Sequence, residues 1–189
     1  MTSPDDRRRL LRIARDAIVA QVTGTAPPAV ELSDDLARLA GAFVTVLRRG
    51  ELRGCIGHIE SDEPLGRVVA RCARGACSAD PRFPPVAVTE LPDLDVELSV
   101  LGAFDQVASP DDVEPGRHGL LVELGRRRGL LLPQVASARH WNSTTFLAQT
   151  CVKAGLPPDA WRAGATVWRF EAEVFSDGAS GSDEAGSPQ

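Results

Sequence analysis

At 189 residues, with 43% hydrophobic and 25% charged side chains, the chain has the make-up of a globular protein that buries a core without disulfide or metal staples. Its formal net charge of -5 argues against the net basic surface of a nucleic-acid binder, although three of the acids, Asp177, Asp183 and Glu184, sit in the terminal segment. No apolar run is long enough to span a membrane, and the polar start Met1–Arg9 lacks the apolar stretch of a signal peptide, so a cytoplasmic protein is expected.

In chain order, the first predicted element is a helix. Ser3 can cap it, Pro4 fits its first turn, Asp5 and Asp6 complement its dipole, and Gly24 closes it. Leu10, Ala14, Ala17, Ile18 and Val22 line one face. A proline-containing connection over 25–32 and a short turn or helix over 34–39 lead into a hairpin. Its strands are 42–48 and 52–59, turning through Arg49-Gly50-Glu51. The period of two places Leu52, Gly54 and Ile56 on one face of the second strand and Arg53, Cys55 and Gly57 on the other.

Pro64 opens a second helix, with Leu65, Val68, Val69, Cys72 and Ala76 at helical spacing. Asp80-Pro81-Arg82-Phe83-Pro84-Pro85 is stiff and extended, because each proline fixes its own φ and restricts the residue before it. Leu94, Val96, Leu98 and Val100 alternate with Asp95, Glu97 and Ser99 as a half-buried strand. Strands 120–124 and 129–132 meet at a turn over 125–128. After Pro133-Gln134, a third helix covers 143–154, packed by Phe146, Leu147 and Cys151 and ended by Gly155. A long strand over 165–175 places Trp168, Phe170, Ala172 and Val174 on one face. The Gly/Ser-rich acidic tail, 176–189, has nothing to bury and is expected to be disordered.

Cys55 is the sharpest candidate for chemistry. The thiolate is the reactive form of cysteine, and the adjacent Arg53 guanidinium favours it. Glycine within a strand, as at Gly54 and Gly57, marks a bulge or a place where something approaches the backbone closely. The alternative reading of Cys55 is a small residue filling a tight place between layers. A regular strand sends the side chains of Cys55 and His58 to opposite faces, which argues against a Cys/His dyad and leaves His58 to tune binding at the edge of the site. Arg82, on its proline-fixed backbone, is suited to grip a carboxylate or phosphate bidentately, or to pair internally with Asp80 or Glu97. Glu97 shares the polar face of its strand with Ser99, and Gln134 is placed to bond a ligand amide or to cap the next turn.

Cys72 and Cys151 lie on apolar helix stripes and read as core, while Cys77 stands at a helix end. The four cysteines show no Cys-x-x-Cys and no zinc-site spacing with histidine, so free thiols are expected and no metal site. The Gly-x-x-x-x-Gly-Lys, Gly-x-Gly-x-x-Gly and Gly-x-Ser-x-Gly motifs are lacking, which disfavours nucleotide-dependent and serine-hydrolase chemistry; no cofactor is expected.

Six ordered blocks carry a family resemblance. They are Gly54-Cys55-Ile56-Gly57, Asp80-Pro81-Arg82-Phe83-Pro84-Pro85, Val96-Glu97-Leu98-Ser99-Val100-Leu101, His118-Gly119-Leu120, Leu132-Pro133-Gln134-Val135 and Ala154-Gly155-Leu156-Pro157. Together they resemble the AMMECR domain family over residues 40–175, and His58-Ile59 after the signature looks like the bacterial branch called AmmeMemoRadiSam system protein A. The resemblance implies an α/β fold of the α+β type, a mainly antiparallel sheet with flanking helices, in two unequal, closely packed subdomains within 1–175. It also implies that the signature run lines a groove between them, and that the protein co-operates with a Memo-like protein and a radical-SAM enzyme.

Two functions fit these residues. In the first, Arg53, Gly54, Gly57, His58, Arg82, Glu97 and Gln134 form a binding surface of an accessory protein. In the second, Cys55 is the catalytic thiol of an enzyme acting on a small molecule or peptide. A complete catalytic set cannot be assembled from the signature on regular strand geometry, which favours the accessory reading.

Overall fold

The computed structural model describes residues 2–178. Its α+β fold is a mainly antiparallel sheet with flanking helices, and the strands follow the order β2-β1-β3-β6-β4-β5. They are β1 (Ala42–Arg48), β2 (Glu51–His58), β3 (Leu94–Gln106), β4 (His118–Leu124), β5 (Arg127–Leu131) and β6 (Thr166–Ser176). The helices are α1 (Pro4–Thr23), α2 (Asp34–Ala37), α3 (Leu65–Ser78), α4 (Pro133–Ala138) and α5 (Ser143–Lys153). The chain divides into two compact units, one of residues up to Val100 with the chain from Glu173, the other Leu101–Ala172.

In the first unit the capping chemistry of α1 is as the sequence predicts. The Ser3 hydroxyl accepts from the Asp6 N–H, Pro4 occupies the first turn, and Gly24 closes the helix at φ 72°. The β1–β2 hairpin turns tightly through Arg49 and Gly50, both at positive φ, as a two-residue turn matched to strand twist requires. Ala42, Val44 and Val46 of β1, Val96 and Leu98 of β3, and Leu65, Val68, Val69, Cys72 and Ala73 of α3 are buried together with Leu10, Ala14 and Ile18 of α1. An amphipathic helix and a sheet each bury one face this way.

Helix α3 comes close to β2 because small residues meet there. A Cβ on Gly54 would overlap the Ala76 carbonyl oxygen, and one on Gly75 would stand 3.2 Å from the Ile56 side chain. On the other face, the Phe43 ring lies where a Gly57 side chain would be, and the two residues are cross-strand partners. The second unit repeats this device, with Phe170 over its partner Gly119. Its core gathers Leu120 and Val122 of β4, Phe146, Leu147 and Cys151 of α5, and Val167 of β6.

Several elements differ from the sequence reading. The register between β1 and β2 shifts at Val46/Leu47, so that Gly54 pairs with Val46, Leu52 pairs with Leu47, and Arg53 is left without a partner in the ladder. This bulge changes the alternation: Leu52 does not join Gly54 and Ile56 on the core side but is 41% exposed. Strand β3 runs on to Gln106, past the end of its apolar alternation, because ladder pairing rather than burial defines its far half. Pro133 begins the six-residue α4, too short to show a helical period in sequence. On β6, Val174 is 44% exposed while Phe175 packs on the first unit's core, so the expected single apolar face is broken.

The acidic tail begins later than expected. Asp177 is held in the first unit: its carboxylate accepts from Arg15 Nε at 2.7 Å and from the Val96 N–H at 2.8 Å. The expected disorder of 179–189 lies outside the described residues.

The close approach at Gly54 has a measurable consequence. Gly54→Ala must push α3 away from β2 and is expected to lower stability by about 1–3 kcal/mol in urea unfolding, the ordinary cost of overpacking. Gly50→Ala, at a turn with nothing within 4 Å, should lack the overlap and show only the strain of its positive φ.

Candidate functional site

β2 ends the strand order, so alternate backbone groups on its outer side lack a strand partner. The Cys55 N–H finds one in Asp80, whose Oδ2 accepts at 2.9 Å. Asp80 stands just after α3 and is buried, at the start of the proline-fixed segment. Its Oδ1 accepts from the Arg82 N–H at 3.0 Å, the side-chain-to-backbone turn that Asp commonly makes two residues on. The Arg82 guanidinium then grips both carboxylate oxygens, Nε to Oδ1 at 2.9 Å and Nη2 to Oδ2 at 2.6 Å. Held first by Arg82 and then by the Cys55 and Arg82 N–H groups, the Asp80 carboxyl titrates well below the usual carboxylate range, against the opposing effect of burial.

Arg53 makes the second tie. Freed from the ladder by the bulge, it pairs bidentately with Glu90, Nε to Oε1 and Nη2 to Oε2, both at 3.0 Å. Its remaining donors reach the carbonyls of Pro84 at 2.9 Å and Pro85 at 3.3 Å. Glu90 lies in the 3₁₀ turn Val88–Asp93 and also accepts from Arg48 and from the Ala87 N–H. Chiefly the Arg53 hydrogen bonds hold its carboxyl down, to about 2. The sequence reading assigns Arg53 to the Cys55 thiolate; its guanidinium is instead engaged by Glu90 and two carbonyls.

Cys55 itself is half-buried, and the hydrogen bond to its sulfur comes from the Thr45 hydroxyl at 3.4 Å. Thr45 pairs across the ladder with Cys55 on one side and with Glu97 on the other, so the three residues form one row. Glu97 is half-buried and its carboxyl is pushed up by burial. Ser99, on the same face, is 2% exposed, so this face is not the open polar surface that alternation alone suggests.

The His58 ring is engaged by α3. Its Nε2 is 2.9 Å from Arg71 Nη1 and its Nδ1 is 3.4 Å from Cys72 Sγ. A guanidinium only donates, so Nε2 is the acceptor and the ring proton resides on Nδ1, directed at Cys72. Burial, then the Arg71 charge, lowers the His58 pKa and keeps the ring neutral. Burial pushes the Cys72 thiol up to about 11, and the thiol donates onward to the Ala42 carbonyl. This relay ties β2 to α3. His58 therefore serves a packed helix–sheet contact.

The two candidate glycines meet protein: Gly54 admits α3 and Gly57 admits the Phe43 ring. Gln134 is exposed in the first turn of α4, in the second unit. Among the described residues no cluster of His, Cys, Asp and Glu could hold a metal ion, and no helix is long and apolar enough to cross a membrane. Asp80 and Glu90 are the residues that spacing alone does not single out. Their signals are an aspartate immediately before a proline, and a lone acid following the proline-rich segment at whose far end Arg53 is bonded.

The structure thus defines an α+β protein whose edge strand holds a proline-rich segment through buried and half-buried ion pairs. The AMMECR1 family model matches residues 11–175, and the chain belongs to that family. A protein of Methanothermobacter thermautotrophicus is 45% identical over 186 residues, covering 93% of this chain and 96% of its own. One of Methanococcoides burtonii is 38% identical over 183 residues, covering 94% and 92%. The crystal structure of uncharacterized protein PH0010 from Pyrococcus horikoshii superposes with a TM-score of 0.81 at 40% identity, covering 88% of this chain and 89% of that one. These relatives are archaeal.

The Glu90 tie predicts a pH dependence. A carboxyl lowered from 4.5 to about 2 on folding contributes stability that is complete above pH 4.5 and lost as the pH falls toward 2. Glu90→Gln should be less stable than the parent at pH 6, and should lose less stability than the parent between pH 5 and pH 3 in urea unfolding. Parallel losses would show that Glu90 is not paired in solution.

Proposed function

We propose that this chain is an accessory binding protein whose recognition surface is the segment 81–89, exposed except at Phe83 and Val86 and held in shape by the signature run of β2. One observation carries the reading: Arg53 and the Cys55 N–H, which could have served a substrate, are engaged by this segment and by the acids that flank it, Asp80 and Glu90. The Cys55 N–H is bonded by Asp80, and Arg53 by Glu90, Pro84 and Pro85. The segment they hold presents Arg82, with its side chain 55% exposed, Val88 at 57%, and exposed Pro81, Pro84 and Pro85. Arginine beside apolar groups on a rigid backbone suits partner recognition, because little conformational freedom is lost on binding.

In this reading the partners are a Memo-like protein and a radical-SAM enzyme, as in the AmmeMemoRadiSam system protein A branch that His58-Ile59 resembles. Capture of those partners should weaken at least tenfold in Val88→Glu, which alters an exposed side chain, and in Arg82→Glu, while Cys55→Ser captures as the parent does. Undiminished capture by both segment variants would overturn the proposal.

A second reading, a thiol enzyme, is favoured by the Cys55–Thr45–Glu97 row, which sets a thiol and a carboxyl of raised pKa on one face. It predicts the opposite pattern: Cys55→Ser abolishes function at unchanged stability, and Val88→Glu is tolerated.

A further inference from the structure

Most arginines of this chain end on a carboxylate, a carbonyl or an aromatic ring. Arg67 and Arg74 are among the exceptions: among the described residues neither side chain has a hydrogen bond, ion pair or ring contact. With Arg71 they occupy positions i, i+4 and i+7 of α3, so three guanidinium groups share one helix face. That face, α1 and residues 27–30 line a cavity of about 300 Å3. Its apolar wall includes Ile13, Ala17 and Ala70.

Two carboxylates, Asp16 and Glu63, also line the cavity. Glu63 is tied to Arg71 at 3.1 Å, and three guanidiniums against two carboxylates leave a positive surplus. The cavity therefore combines an apolar wall with two uncommitted cations and a third already paired with Glu63.

We propose that this cavity binds a small soluble phosphate monoester with a short apolar body, its head between Arg67, Arg71 and Arg74 and its body against Ile13, Ala17 and Ala70. A phosphate head offers three acceptor oxygens and a charge near −2 at neutral pH, which suits three forked donors better than a single carboxylate does. The volume is at the small end of ligand sites, and its walls come from two helices and a connection, so a compact molecule fits better than a flat membrane surface. Arg71 also contacts His58 Nε2 at 2.9 Å, so a head drawn to Arg71 is sensed at the signature strand.

The test is calorimetric titration of the full chain with hexyl phosphate and, separately, inorganic phosphate, while NMR follows the His58 imidazole. Hexyl phosphate should fill one site at least tenfold more tightly than inorganic phosphate and shift the His58 resonances. The Arg67→Ala/Arg74→Ala variant, which alters exposed side chains, should keep the parent's unfolding curve and bind hexyl phosphate at least tenfold more weakly. Absence of saturable binding, equal affinity for the two probes, or unchanged affinity in the double variant would overturn the proposal. So would capture by phosphatidate vesicles without binding of free hexyl phosphate, which would point to a membrane surface. None of these readouts involves segment 81–89, so failure here is distinct from failure of the binding reading above.

Discussion

The Asp80 carboxylate at the open edge of β2 is the constraint on which the rest of the site depends. An edge strand leaves backbone donors unpaired, and an exposed row of them invites pairing with another chain. Here one donor, the Cys55 N–H, is closed by a side chain from the segment that follows α3. Once Asp80 is fixed, its second oxygen and Arg82 set the turn of the proline segment, and the prolines limit what the backbone can do next. Glu90 then meets Arg53 at the far end. Two ion pairs therefore fix the segment against β2 at both ends, and one of the strand's outer donors is closed in the process.

The glycines of the signature belong to the same construction. Gly54 lets α3 lie against β2, which brings the end of that helix, and hence Asp80, within reach of Cys55. Gly57 makes room for the Phe43 ring, and the bulge beside Gly54 turns Arg53 out of the ladder toward Glu90. His58 completes the helix contact through Cys72. Nearly every position of the run has a structural partner, while the Cys55 sulfur is met by one hydroxyl. This distribution is why the binding reading is preferred to the thiol one.

Much of the architecture was legible because it rests on local rules. The caps of α1, the β1–β2 turn and the apolar stripe of α3 follow from residue type and spacing. The family blocks identify the fold even where the elements themselves are hard to bound. What escaped depends on partners distant in sequence. Alternation puts Leu52 on one face with Gly54 and Ile56 until the pairing register shows the bulge, and α4 is too short to carry a period. The bond from Arg53 to Glu90 joins residues 37 apart, and that from Cys55 to Asp80 residues 25 apart. Spacing can nominate Arg53 and Cys55 as polar and interesting, but it cannot say which carboxylate each one meets.

Amide hydrogen exchange over 80–90 tests the central claim most directly, because the Arg82, Phe83, Val86 and Ala87 N–H groups are hydrogen-bonded there. The account predicts that Arg53→Ala speeds exchange at these amides at least tenfold, while Cys55→Ser, which keeps the backbone N–H, leaves them as in the parent. Equal protection in Arg53→Ala and the parent would contradict it, and would mean that the signature run is held for something other than this segment.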